Sequence, residues 1–101
     1  MLAEVSIVPI GEGVSVSEYV AESMKIIDAS GLDYRINPMA TVIAGDYDEV
    51  MSVVKRCHLR MMELSQRVIT SIKIDDRKDE KATLDSKIRS VERKLGKELK
   101  K

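Results

Sequence analysis

The chain has 101 residues with 17 Lys+Arg against 17 Asp+Glu, no Phe, no Trp and only three tyrosines. That length fits one domain, residues 1–101, and its core must be built from Val, Ile, Leu and Met. The missing aromatics argue against stacking recognition of single-stranded nucleic acid, and a net charge of zero argues against DNA.

The charge is nevertheless uneven. Residues 1–72 hold 6 Lys+Arg and 10 Asp+Glu, a balance of −4, while residues 73–101 hold 11 and 7, a balance of +4. Cys57 is the single cysteine, which excludes an intramolecular disulfide and suits a reducing compartment. No run approaches the ~20 apolar residues of a membrane span, and the N-terminus lacks the pattern of a signal peptide. A cytoplasmic protein without a membrane partner is expected.

In chain order, Leu2 to Ile10 reads as a first strand, with Ala3, Val5 and Ile7 as one stripe and Pro9 weakening the ladder near its end. Gly11 and Gly13 turn the chain. A helix follows from about Val16 to Ser30. Ser15 and Glu18 have capping-box spacing, Val16, Val20, Met24 and Ile27 recur on a core-facing stripe, and Gly31 stands where a left-handed cap belongs. Asp33 to Asn37 forms a short second strand, Asn37-Pro38 a turn, and Met39 to Ala44 a third strand, so the second and third strands pair as an antiparallel hairpin.

Asp46 and Glu49 open a second helix whose apolar stripe is Val50, Val53, Val54, Cys57, Met61 and Leu64. The fourth strand, Arg67 to Asp75, alternates cleanly: Val68, Thr70, Ile72 and Ile74 point one way, Ser71, Lys73 and Asp75 the other. The charged segment Asp76 to Lys81 is an exposed loop. A last helix from about Ala82 to Leu99 carries a narrow apolar seam of Leu84, Ile88, Val91, Leu95 and Leu99 within charged surroundings.

The order β-α-β-β-α-β plus a helix fits an α+β ferredoxin-like sandwich, with a four-stranded antiparallel sheet covered by two helices on one face and an extra C-terminal helix. The uncovered face would carry Glu4, Ser6, Val8 and Ile10 from the first strand and Ile69, Ser71 and Lys73 from the fourth. Such a mixed patch, together with the seam of the last helix, favours a homo-oligomer, with sheet faces or edges meeting across a symmetry axis. Folding of the last helix over its own sheet is the alternative.

Chemistry is sparse. His58 is the only histidine and stands beside the buried-stripe residue Cys57 without metal-ligand spacing. No nucleophile elbow or phosphate loop is present. Asp75, Asp76, Asp79 and Glu80 interleave with Lys73, Arg77, Lys78 and Lys81, which favours ion pairing over a metal site. No catalytic residue and no metal ligand is assigned, and no cofactor is expected.

Three motifs do carry a signature: Glu4-Val5-Ser6-Ile7-Val8-Pro9-Ile10-Gly11; Gly31-Leu32-Asp33-Tyr34-Arg35 leading into Pro38-Met39-Ala40-Thr41; and Thr70-Ser71-Ile72-Lys73-Ile74-Asp75-Asp76-Arg77. Together they span nearly the whole chain and resemble the family of small thiamine-binding proteins, the YkoF-like group that was long uncharacterised. The resemblance implies a ferredoxin-like fold, dimers that pair as tetramers, and non-catalytic binding of thiamine or its hydroxymethylpyrimidine part. In one departure, this chain has Ala44-Gly45 where the family often has a glutamate before the glycine.

An aminopyrimidine ring needs fixed donors and acceptors in a mostly apolar slot. On the resemblance, Ser6, Asn37, Thr41, Ser71 and Lys73 are the candidate polar contacts and Met39 an apolar wall, with Thr41 and Lys73 preferred because they stand inside the matched motifs. Strand periodicity does not say whether Thr41 and Lys73 share a face. The alternative for Lys73 is an ion pair with Glu4 or with a neighbouring subunit. The alternative for the whole chain is a regulatory or assembly module without thiamine affinity, using the open sheet face for protein contacts or for another metabolite.

Overall fold

A computed structural model describes residues 1–11, 16–79 and 83–101. Its elements are β1 (Leu2–Pro9), α1 (Val16–Ala29), β2 (Asp33–Ile36), β3 (Thr41–Ala44), α2 (Tyr47–Leu64), β4 (Val68–Asp75) and α3 (Ser86–Leu95). The four strands form one antiparallel sheet in the order β2-β3-β1-β4. This is the βαββαβ ferredoxin-like arrangement with an added C-terminal helix.

Alternation in the strands sets the two faces. Ala3 opposes Ile43 and Ile74, and Val5 opposes Thr41 and Ile72. These residues face α1 and α2, where Ala3, Val5, Ile27, Ile43, Val50, Val53, Val54 and Cys57 form the buried core. Ile43, Val50 and Met61 are completely buried. The α2 stripe is therefore core as far as Met61, while Leu64, at the helix end, stays exposed.

On the other face the register aligns Arg35, Val42, Glu4 and Lys73 in one row across all four strands. Tyr34 confirms the sides: its hydroxyl donates to Asp28 Oδ1 of α1 at 2.7 Å, so its neighbour Arg35 points away from the helices. Arg35 Nη2 donates to Asp85 Oδ1 at 2.8 Å, tying the residue before α3 to the open face. The helix itself has no buried residue, and Val91 and Leu95 of its seam are exposed. The radius of gyration, 15.2 Å, exceeds the roughly 13 Å of a compact chain of this size.

Several expected boundaries move. The third strand starts at Thr41 rather than Met39, because Asn37 donates its N–H to Ala40 O (3.0 Å) and closes a turn around Pro38 and Met39. The last helix starts at Ser86 and stops at Leu95. Gly96 (φ 74°) ends it in the left-handed conformation, with its N–H on Glu92 O at 2.8 Å. Leu99 leaves the helical seam and donates its backbone N–H to Glu92 Oε2 at 2.7 Å. Asp46 caps α2 through its backbone alone, without the side-chain bond that its spacing with Glu49 suggests. In the charged loop Arg77 binds both carboxylate oxygens of Asp79, at 3.0 and 3.2 Å, and holds that carboxyl below its usual range. Ser15, Glu80, Lys81 and Ala82 lie outside the described residues.

Candidate ligand cleft

β3 is half as long as β1, and the mismatch creates the site. Pairing between β1 and β3 ends at Val5–Thr41, while β1 continues to Pro9 against β4. Beyond Val5, the β3 side of β1 faces a gap bounded by the 37–40 turn and roofed by α1. A cleft of about 230 Å³ fills this gap.

Backbone polarity in the cleft follows from the ladder. Ile10 donates its N–H to Arg67 O at 2.8 Å, so even-numbered residues of β1 bond toward β4. Gly45 donates to Met1 O at 3.1 Å, so odd-numbered residues bond toward β3. Ile7 lies past the last β3 pair, and its N–H and C=O therefore project into the cleft as an adjacent donor and acceptor. A buried backbone group without a partner is costly, so this pair is a natural place for a ligand or water.

Val5, Ile7, Val16, Val20, Met24 and Ile27 make the apolar walls. The stripe of α1 is thus only partly core: Ile27 is buried, but Val16 and Val20 are 49% and 38% exposed, because no sheet lies beneath the first turns of the helix. Polar residues bordering the cleft are Ser23, Asn37, Thr41 and Ser6, the last with its side chain on the open-face side of β1. Thr41 is buried, with its hydroxyl 3.7 Å from Met24 Sδ, a long contact that leaves it able to bond a ligand. No charged side chain lines the cleft among the described residues.

Of the candidates read from sequence, Ser6, Asn37, Met39 and Thr41 come together here, and Ser71 and Lys73 do not. Thr41 opposes Val5 on the helix side, whereas Lys73 opposes Glu4 and Ser71 opposes Ser6 on the open side. Thr41 and Lys73 thus stand on opposite faces of the sheet. Lys73 and Glu4 are register partners, yet no ion pair joins them. Met39, 88% exposed at the tip of the turn, is a rim residue rather than a wall. Ala44, the departure from the family pattern, lies on the open face opposite Leu2 and Asp33, away from the cleft. The Ile7 backbone and the α1 roof escaped the sequence reading, since only the unequal strand lengths expose them.

The remaining reactive groups lie elsewhere. Burial pushes the Cys57 thiol up to about 11, so it stays protonated at neutral pH, with Sγ 3.6 Å from Ser23 O. His58 Nδ1 is 2.6 Å from Thr70 Oγ1, which fixes the ring against β4. No helix is long and apolar enough to cross a membrane among the described residues.

Fold and site together define a ferredoxin-like protein with a small cleft at the end of its hairpin that is uncharged among the described residues. The chain belongs to the thiamine-binding protein family, whose profile matches residues 3–92. It is 43% identical over 100 residues to the UPF0045 protein YqgV of Bacillus subtilis, covering 93% of this chain and 96% of the relative. It is 38% identical over 91 residues to the UPF0045 protein MJ1052 of Methanocaldococcus jannaschii, covering 90% and 91%. The crystal structure of MJ1052 superposes with a TM-score of 0.84 over 89% of this chain and 93% of that one. A Thermotoga maritima structure provisionally assigned to thiamine biosynthesis or salvage shares the fold, with a TM-score of 0.79 at 21% identity, covering 89% and 96%.

Proposed function

We propose that this protein is a non-catalytic, cytoplasmic binding protein that holds thiamine, or free hydroxymethylpyrimidine, by its pyrimidine ring, and that it works as a homo-oligomer, a dimer or a dimer of dimers. The carrying observation is the adjacent N–H and C=O of Ile7 within a mostly apolar cleft, in a chain of the thiamine-binding family. An aminopyrimidine offers a donor and an acceptor side by side, which such a backbone pair reads as a strand would. Thr41 and Asn37 supply further polar contacts, and Val20, Met24 and Ile27 pack on the ring faces.

Size and charge narrow the ligand. At about 230 Å³ the cleft is smaller than the ~300–1,000 Å³ of sites for drug-sized molecules, and it suits one ring with the remainder of the ligand projecting outward. Among the described residues the lining carries no charged side chain and so offers nothing to neutralise a diphosphate. Neither Cys57 nor His58 lines the cleft, which supports binding without catalysis. The open face and the seam of α3 support self-association.

Titration calorimetry with hydroxymethylpyrimidine, thiamine and thiamine diphosphate tests the reading. Heat is expected from the first two, with the diphosphate weaker. No response to any of the three at millimolar concentration, in a protein that remains a stable oligomer, would overturn it in favour of an assembly module.

A further inference from the structure

The cleft has a direction, set by the strand that bounds it. β1 runs from Val5, the last residue paired with β3, out to Pro9. Along an extended strand a residue's N–H comes before its C=O, and both project to the same side. The Ile7 N–H therefore lies on the inner side of the exposed pair, and the Ile7 C=O lies toward the mouth. The walls are graded the same way. Val5, Ser23, Ile27 and Thr41 are buried and close the inner end, whereas Val16, Val20 and Met39 are exposed at the mouth. A ligand edge thus meets a donor on the inside and an acceptor nearer solvent, and any bulky group it carries must leave through the mouth.

We propose, resting on the pyrimidine reading of the cleft given above, that this polarity selects aminopyrimidines substituted beside the amino group and rejects their oxo counterparts, in which a carbonyl replaces that amino group. In hydroxymethylpyrimidine a ring nitrogen, an acceptor, adjoins the carbon that bears the amino group, a donor. The next carbon bears the hydroxymethyl group, and in thiamine the same carbon carries the link to the thiazolium. With the nitrogen on the Ile7 N–H and the amino group on the Ile7 C=O, the substituted carbon comes last in that order and points to the mouth. The second ring nitrogen then turns toward the inner end, where Thr41 stands. An oxo ring in its lactam form reverses the edge, because its ring nitrogen donates and its carbonyl accepts. In the same pose donor faces donor and acceptor faces acceptor. Turning the ring over restores the pairing but drives the hydroxymethyl group into the closed inner end. Both poses are penalised, one by unpaired polar groups and the other by overlap.

Titration calorimetry of the wild-type chain with two pairs of ligands tests this. One pair is hydroxymethylpyrimidine and its oxo analogue, and the other is the same amino and oxo rings without the hydroxymethyl group. In the first pair the oxo ring is expected to bind at least about tenfold more weakly, the cost of polar groups left unpaired in a closed site. In the second pair the oxo ring turns over freely, and the two affinities are expected to agree within about threefold, less than one hydrogen bond is worth. Equal affinities in the first pair overturn the proposal and leave the pyrimidine reading standing. An equally large gap in the second pair also overturns it, because orientation is then not the cause. Heat from none of the four at millimolar concentration, with circular dichroism showing a folded protein, removes the pyrimidine reading and this selectivity with it. Met24→Ala gives a second check, since Met24 lines the cleft beside Thr41 and its loss widens the inner end. The gap in the first pair should narrow in that variant, and an undiminished gap in a folded Met24→Ala protein overturns the proposal.

Discussion

The two faces of this sheet are built from the same strands, one residue out of step, yet they do opposite work. On the helix side, Ala3, Val5 and Ile43 are sealed beneath α1 and α2, and where β3 runs out the seal opens into a cleft. On the other side, Arg35, Glu4 and Lys73 form a charged row, to which the Arg35–Asp85 bond ties the start of α3. A strand shows alternate side chains to alternate faces, so a single register decides which residues hold the fold and which are left for contact.

Perturbing the sealed face should have the largest effect. Ile43→Ala removes a fully buried side chain and is expected to lower stability by about 2–5 kcal/mol in urea unfolding. A loss below about 1 kcal/mol would mean that the core is elsewhere.

At the cleft, Thr41→Val keeps the shape and deletes the hydroxyl. It should weaken hydroxymethylpyrimidine binding about fivefold in calorimetry, corresponding to about 1 kcal/mol for one hydrogen bond, with the fold intact. Unchanged affinity would remove Thr41 from the site.

Acid should release α3 from the open face. The Arg35 guanidinium beside Asp85 holds that carboxyl below its ordinary range. A carboxyl with a lowered folded value favours the attached state above its ordinary value of about 3.9 and loses that contribution as the pH falls through the depressed one. Amide exchange across Ser86–Leu95 should therefore accelerate relative to the core in that acid range. Arg35→Ala should produce the same acceleration at neutral pH. Equal protection in wild type and variant would show that the ion pair does not hold the helix.

The smallest effect belongs to Lys73→Ala. Its exposed position on the face opposite Thr41 predicts a stability change within about 0.5 kcal/mol. Ligand affinity should stay within about twofold, below the value of one hydrogen bond. A larger loss of affinity would place the ligand on the open face.

Periodicity in the sequence was enough to determine the element order, the α2 core stripe from Val50 to Met61 and the two-sided alternation of β4, because these follow from local geometry repeated along the chain. The three motifs also carried the family. Strand lengths and pairings were decided only in three dimensions. The 37–40 turn consumed the start of the expected third strand, the short β3 uncovered Ile7, and the register set Lys73 across the sheet from Thr41. A residue's face is local, but its neighbour across a sheet is set by contacts between distant segments, and so is the place where one strand outruns another.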